Sequence, residues 1–124
     1  MDDTPLVAIV DDDPSVRKAL GRLCRSTGYR VKLFDSSESY LNADVADSTD
    51  FLILDVLLPG KSGLELQAEL LDAHKPCPIL FITAFDDDIA REKAIENGAI
   101  DFLGKPLDVD RILELIEKAL SEDS

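Results

Sequence analysis

Apolar residues along the chain come in short unbroken runs, each closed by a polar or acidic residue. Leu6-Val7-Ala8-Ile9-Val10 ends in Asp11-Asp12-Asp13, Phe51-Leu52-Ile53-Leu54 ends in Asp55, and Ile79-Leu80-Phe81-Ile82 ends in Thr83. Runs of this length without alternation predict strands buried on both faces, as in a parallel sheet covered by helices above and below. Arg30 to Phe34 alternates instead, with Val31 and Leu33 pointing one way, and predicts a strand nearer the sheet edge. Ala99 to Leu103 predicts a short fifth strand, ending at Gly104-Lys105-Pro106.

Helical spacing fills the gaps. Asp13 is an N-cap with Pro14 at the first helical position; Val16, Leu20, Leu23 and Cys24 share one face, and Gly28 is the stop. A weaker helix runs from Ser36 or Ser37 through Tyr40 and Leu41 toward Val45, with Tyr40 and Phe34 assigned to packing. Ser62 and Glu65 make a capping box for a helix reaching about His74, itself a surface residue, and Pro76-Cys77-Pro78 breaks the chain. Asp86-Asp87-Asp88 opens a fourth helix with Ile89, Ala90, Ala94 and Ile95 inward and Gly98 as its stop. Asp108 caps the fifth, where Leu107 staples onto Ile112 and the buried stripe is Ile112, Ile116, Ala119 and Leu120; the polar tail Ser121 to Ser124 frays. Five strand-helix units in succession predict a doubly wound α/β fold with right-handed crossovers.

Composition narrows the function. A chain of 124 residues predicts one domain, residues 1–124, able to bury a core without metal or disulfide support. Its formal charge of -13 repels nucleic-acid phosphates and anionic membranes, so direct DNA binding by this domain is not expected. The start, Met1 to Pro5, lacks the features of a signal peptide, and no apolar run reaches the length of a membrane span, which together predict a cytoplasmic protein. Cys24 and Cys77 have neither metal-ligand nor redox-motif spacing and are read as reduced thiols. Arg17, Lys18, Arg22, Arg25, Arg30 and Lys32 gather early in the chain, either as a solvated face or as a docking surface for an acidic partner.

Candidate chemistry lies in the acids that no cap explains. Asp13 has a capping role; Asp11 and Asp12 have none, and Asp55 is relieved of one by Ser62. In doubly wound sheets ligands bind beyond the carboxyl ends of the strands where strand order reverses, which for the order 2-1-3-4-5 lies between strands one and three. That topology would gather Asp11, Asp12 and Asp55. Three such carboxylates repel pairwise by about 1–4 kcal/mol and call for a cation. All-oxygen ligands with a hydrated position suit Mg²⁺, with Mn²⁺ as the alternative, whereas Ca²⁺ wants more protein oxygens. Thr83 and Lys105 stand at the same rim. A carboxylate, a hydroxyl and an ammonium can together hold a tetrahedral phosphoryl group, with Asp55 as nucleophile. A cis Lys105-Pro106 bond would fix the lysine's approach, against the general preference for trans.

Val10-Asp11-Asp12, Ile53-Leu54-Asp55, Leu58-Pro59-Gly60-Lys61-Ser62-Gly63, Ile82-Thr83-Ala84, Gly98-Ala99-Ile100-Asp101-Phe102 and Lys105-Pro106 fall in a specific order and spacing. In these the sequence resembles, over essentially its whole length, a receiver domain of the bacterial two-component response regulators. The Gly98 to Phe102 stretch is similar to the nitrogen-fixation regulator type, which carries a DNA-binding domain. The resemblance implies a flavodoxin-like (βα)5 three-layer sandwich with sheet order 2-1-3-4-5. It implies that Asp55 accepts a phosphoryl group from a histidine kinase or phosphotransfer protein. Asp12 and Asp55 would bind Mg²⁺ with the backbone carbonyl of Leu57, and Asp11 would act through a water. Lys105 would pair with the phosphoryl oxygens, and Thr83 would swing inward to them. Phe102 would follow as the switch aromatic, altering the surface of the fourth helix, fifth strand and fifth helix for an output domain, a target protein or a phosphorylation-dependent homodimer. The basic first helix would belong to the kinase-docking face.

Leu107 and Leu58 depart from the family's common phenylalanine and methionine but keep their bulk. Leu57 and Phe85 stand two residues beyond Asp55 and Thr83, where the family tunes phosphoryl lifetime; being apolar, they predict slow autodephosphorylation. Other classes fit less well. A flavodoxin-type cofactor module wants a glycine- and hydroxyl-rich first loop, which here is anionic. An aspartyl-phosphate hydrolase wants a second acid after Asp55, where Val56 and Leu57 stand. A receiver-like module that is never phosphorylated is disfavoured because every chemical position is filled.

Overall fold

A computed structural model describes residues 4–75, 77–85 and 87–121. Met1 to Asp3, Pro76, Asp86 and the frayed-tail expectation for 122–124 lie outside the described residues. Strands β1 (Leu6–Val10), β2 (Arg30–Phe34), β3 (Phe51–Asp55), β4 (Ile79–Thr83) and β5 (Asp101–Gly104) alternate with helices α1 (Pro14–Ser26), α2 (Ser37–Asn42), α3 (Gly63–Asp72), α4 (Asp88–Glu96) and α5 (Val109–Ser121). The strands form one parallel sheet in the order β2-β1-β3-β4-β5.

The unbroken runs are explained by the two faces of this sheet. Ala8, Val10, Leu52, Leu54 and Phe81 pack with Tyr40, Leu66, Leu70, Ala90 and Ala94 from α2, α3 and α4. Their neighbours Val7, Ile9, Phe51, Ile53, Leu80 and Ile82 pack with Leu20, Cys24, Ile112, Leu115 and Ile116 from α1 and α5. Alternate residues of each central strand thus serve opposite layers, and polar residues enter only at the strand ends, as Asp55 and Thr83 do. Edge strand β2 alternates because it is only half covered, and Leu33 is exposed.

The caps form as the sequence dictates. Asp13 accepts the Ser15 N–H at 2.9 Å, and Ser62 and Glu65 form the reciprocal capping box of α3. Positive φ at Gly28 and Gly98 follows the ends of α1 and α4. Tyr40 packs edge-on against Phe34 and donates its hydroxyl to Thr49 Oγ1 at 2.9 Å. His74, exposed, follows α3 with a φ of 55°.

Several boundaries differ from expectation. Helix α2 stops at Asn42 because Asp44 turns left-handed (φ 55°), and a short 3₁₀ turn, Ala46–Ser48, completes the connection that was expected to be helical toward Val45. Strand β5 begins at Asp101 rather than Ala99. On α4 only Ala90 and Ala94 are buried; Ile89 and Ile95, expected inward, are 78% and 47% exposed. The two alanines sit one turn apart and bring the helix close to the sheet. The buried stripe is therefore too narrow to reach the isoleucines, each rotated about 100° away.

This difference is measurable. Ile89→Gln should leave stability within about 0.5 kcal/mol of the parent, whereas Leu66→Ala, which empties a fully buried site, should cost about 2–5 kcal/mol in urea unfolding.

Candidate functional site

Parallel register brings the carboxyl ends of four strands to one rim. Val10 pairs with Leu54, Asp55 with Ile82 and Thr83 with Gly104, so Asp11, Asp55, Thr83 and Lys105 emerge side by side. Carboxylate oxygens of Asp11, Asp12 and Asp55 lie within 4.8 Å of one another. Asp11 and Asp55 are buried at 0% and 4% exposure, while Asp12 faces solvent.

Each acid is held by its own backbone. Asp11 Oδ1 accepts the Asp13 N–H at 2.8 Å, and Asp55 Oδ1 accepts the Leu57 N–H at 3.2 Å. The other oxygens face the lysine: Lys105 Nζ lies 3.0 Å from Asp11 Oδ2 and 3.4 Å from Asp55 Oδ2. The Lys105–Pro106 peptide is cis, and the Lys105 N–H donates to the Thr83 carbonyl at 2.7 Å.

The electrostatics follow. Burial, and then the charge of Asp11, push the Asp55 carboxyl up from 3.8 to about 6, although Lys105 and the Leu57 N–H work the other way. Burial works against the Lys105 ammonium, but its hydrogen bond to Asp11 and the charges of Asp55 and Asp11 outweigh it and raise its pKa. The donor set is entirely hard oxygen with one solvent-facing acid, which fits Mg²⁺ or Mn²⁺ and no softer metal.

Thr83 stands at the rim but is turned away from the acids. Its hydroxyl donates to the Phe85 carbonyl at 2.9 Å and accepts the Phe85 N–H at 3.1 Å. Phe102 is 1% exposed and packs against Phe81 with ring centroids 6.1 Å apart. Arg91 of α4 covers the ring, its guanidinium carbon 5.0 Å from the centroid, and donates to the Phe102 carbonyl at 2.9 Å. Leu57 and Phe85, 52% and 70% exposed, flank the site.

Two contributors escaped sequence reasoning. Arg17, counted only with the basic cluster, donates from Nη1 to the Asp11 carbonyl at 2.7 Å and steadies the β1–α1 turn. Glu38 accepts the Lys61 N–H at 2.9 Å across 23 residues of chain. A long-range bond of this kind leaves no local pattern to find it by.

Comparison with known proteins places the site in context. The family model described as "Response regulator receiver domain" matches residues 7–117. The response regulator protein TmoT of Ectopseudomonas mendocina is 42% identical over 119 residues, 96% of this chain and 54% of its own. The transcriptional regulatory protein FixJ of Bradyrhizobium diazoefficiens is 35% identical over 116 residues, 94% of this chain and 57% of its own. The chain thus spans about half the length of these relatives. The solved structure of response regulator StyR superposes with a TM-score of 0.88 at 41% identity, covering 95% of this chain and 60% of that one. Among the described residues no helix is long and apolar enough to cross a membrane.

The raised Asp55 pKa carries a stability consequence. A carboxyl whose folded pKa exceeds its unfolded value leaves stability intact below about pH 4, and stability is lost as pH rises through about 6. In metal-free buffer at pH 7.5, Asp55→Asn should therefore be more stable than the parent by about 1–3 kcal/mol. The gain should vanish as pH falls toward 4. Urea unfolding across pH checks it, and equal stabilities at pH 7.5 would contradict it.

Proposed function

Because this chain belongs to the response regulator receiver domain family of two-component systems, we propose that Asp55 accepts a phosphoryl group from the phosphohistidine of a histidine kinase or phosphotransfer protein. The observation that carries this reading is the meeting of Asp11, Asp55 and Lys105 from three separate strand ends, with the acids buried and the lysine bridging them. Such an arrangement costs the fold stability and has no packing role. The domain is a signalling phosphoacceptor that promotes only its own phosphorylation and dephosphorylation, and residues 1–124 form one receiver unit.

In the transfer an Asp55 oxygen forms the new O–P bond while the N–P bond of the phosphohistidine breaks. The imidazole leaves with the bonding electron pair and is protonated, and Asp55 becomes an acyl phosphate. Asp12, Asp55 and the Leu57 carbonyl would hold Mg²⁺, with Asp11 acting through a water; when bound, the ion supplies positive charge against the phosphoryl oxygens. Lys105, already within reach of Asp55, moves its ammonium from the carboxylates to the phosphoryl group. Thr83 releases the Phe85 backbone and donates its hydroxyl instead.

Phe85 stands three residues before the start of α4 at Asp88, so a change at Thr83 bears on that helix. The Phe102 ring, expected to follow Thr83 inward, is already buried here under Arg91. The switch runs through Thr83 and Phe102: as Thr83 turns to the phosphoryl group, the Phe102 ring repacks against its neighbours and alters the α4/β5/α5 surface. Shifting a two-state equilibrium from 1:99 to 99:1 takes about 5.5 kcal/mol, and one neutral hydroxyl bond supplies only about 1 kcal/mol. Metal binding and the Lys105 move must share the work. The α4/β5/α5 surface then acts on an output domain, a target protein or a second copy of the domain. FixJ's description as a transcriptional regulatory protein supports an output in transcription. The signalling role and the absence of any long apolar helix among the described residues support a cytoplasmic location.

Incubation with acetyl phosphate and Mg²⁺ should add one acid-stable, hydroxylamine-sensitive phosphoryl group, seen by intact-mass spectrometry and lost in Asp55→Asn. No uptake by a folded sample would sink the proposal. Neither Leu57 nor Phe85 can orient an attacking water. The phosphoryl group should accordingly be long-lived, and Phe85→Glu should shorten its lifetime severalfold; an unchanged lifetime would count against this assignment.

A further inference from the structure

The loop between β3 and α3 carries Leu57, and it is held at both ends near Asp55 and at its tip by a residue of α2. At its start the Asp55 carboxylate takes the Leu57 N–H. At its close the Gly63 N–H returns to the Val56 carbonyl at 3.0 Å, and a Cβ at Gly63 would collide with the Asp55 carbonyl. Between these points Lys61 and Ser62 present consecutive N–H groups, and each is taken by a glutamate. Ser62 N–H goes to Glu65 Oε1 at 2.9 Å, within the α3 capping box. Lys61 N–H goes to Glu38 Oε2 at 2.9 Å, from the first turn of α2.

The Glu38 contact is a built one. Gly60 has a φ of +74°, which a side chain would strain, and a Cβ there would lie 2.6 Å from Glu38 Oε2 and push the carboxylate aside. Buried Ser37, next to Glu38, directs its hydroxyl toward the Ser62 carbonyl at 3.5 Å. The Lys61 side chain turns away to Glu69 at 2.7 Å, leaving its backbone to Glu38. Hydrogen bonds to a charged acceptor are the stronger kind, and this one joins two elements that share no strand pairing.

Resting on the phosphoacceptor reading above, we infer that Glu38 is a positioning residue for the metal site: by holding the Gly60–Lys61 turn it aims the Leu57 carbonyl at the cation, though it touches neither metal nor phosphoryl group. Outer partners of this kind orient a ligand before the ion arrives and so act on affinity. The loop's other end is tied to strand β3, so the tip is the part left for Glu38 to fix.

Mg²⁺ titration followed by backbone amide NMR, together with phosphorylation by acetyl phosphate at low and at saturating Mg²⁺, tests this. Glu38→Ala should weaken Mg²⁺ binding by about tenfold and slow phosphorylation at low Mg²⁺, yet reach the parent rate once Mg²⁺ saturates. Glu38→Gln keeps an acceptor oxygen in place and should restore most of the affinity. Equal affinity in Glu38→Ala and parent would overturn the inference. So would a Glu38→Gln as weak as Glu38→Ala, since the effect would then be plain loss of negative charge, and so would a rate that stays low at saturating Mg²⁺, the sign of general damage. A parent protein that binds no Mg²⁺ would remove the phosphoacceptor reading itself, and this inference with it.

Discussion

Everything at the functional end of this domain depends on two carboxylates being kept out of water beside each other. Asp11 and Asp55 are carried by adjacent strands whose register leaves them no choice of position. Their mutual repulsion and desolvation are only partly relieved by the Lys105 ammonium between them. A fold selected for stability alone would place small or apolar residues there. The rim is instead held in readiness for added positive charge, which a hard cation among these oxygens would supply.

The scaffold absorbs that cost through the sheet. Each central strand serves two layers, with fully buried residues on both faces, so strand ends are held firmly at the rim. Thr83 is tied to Phe85 by two local hydrogen bonds, Phe85 is mostly exposed, and α4 rests on two alanines. The helix that follows this turn thus has a narrow apolar footing on the sheet. By contrast Phe102 is clasped by Phe81 and Arg91.

How much of this could be read from the chain depends on the range of the interaction. Unbroken apolar runs report strands buried on both faces, and their terminal residues Asp11, Asp55 and Thr83 are thereby located at one rim; Ser62 with Glu65 and Asp13 with Pro14 report helix starts through contacts within four residues. Strand order came from family resemblance and not from periodicity. The inward assignment of Ile89 and Ile95 failed because helical spacing names a face without saying how wide the neighbouring layer is. Glu38 and Arg17 were invisible as contributors to the site because each bonds a backbone group outside its own element, 23 residues away for Glu38 and six for Arg17, with no periodic trace. The resting position of Thr83 was equally illegible, since a strand-end threonine can bond its own turn or a ligand with the same residues around it.

We propose the Asp11–Lys105–Asp55 bridge as the resting form of a phosphoryl site. A crystal structure of the domain with Mg²⁺ and beryllofluoride, a stable mimic of a phosphoryl group on a carboxylate, tests it most directly. Beryllium should be bonded to an Asp55 oxygen, with Mg²⁺ on Asp12 and Asp55, Lys105 transferred from Asp11 to the fluorides, and the Thr83 hydroxyl released from Phe85. Beryllofluoride bound elsewhere, or an Asp11–Lys105–Asp55 bridge left intact beside it, would contradict that claim.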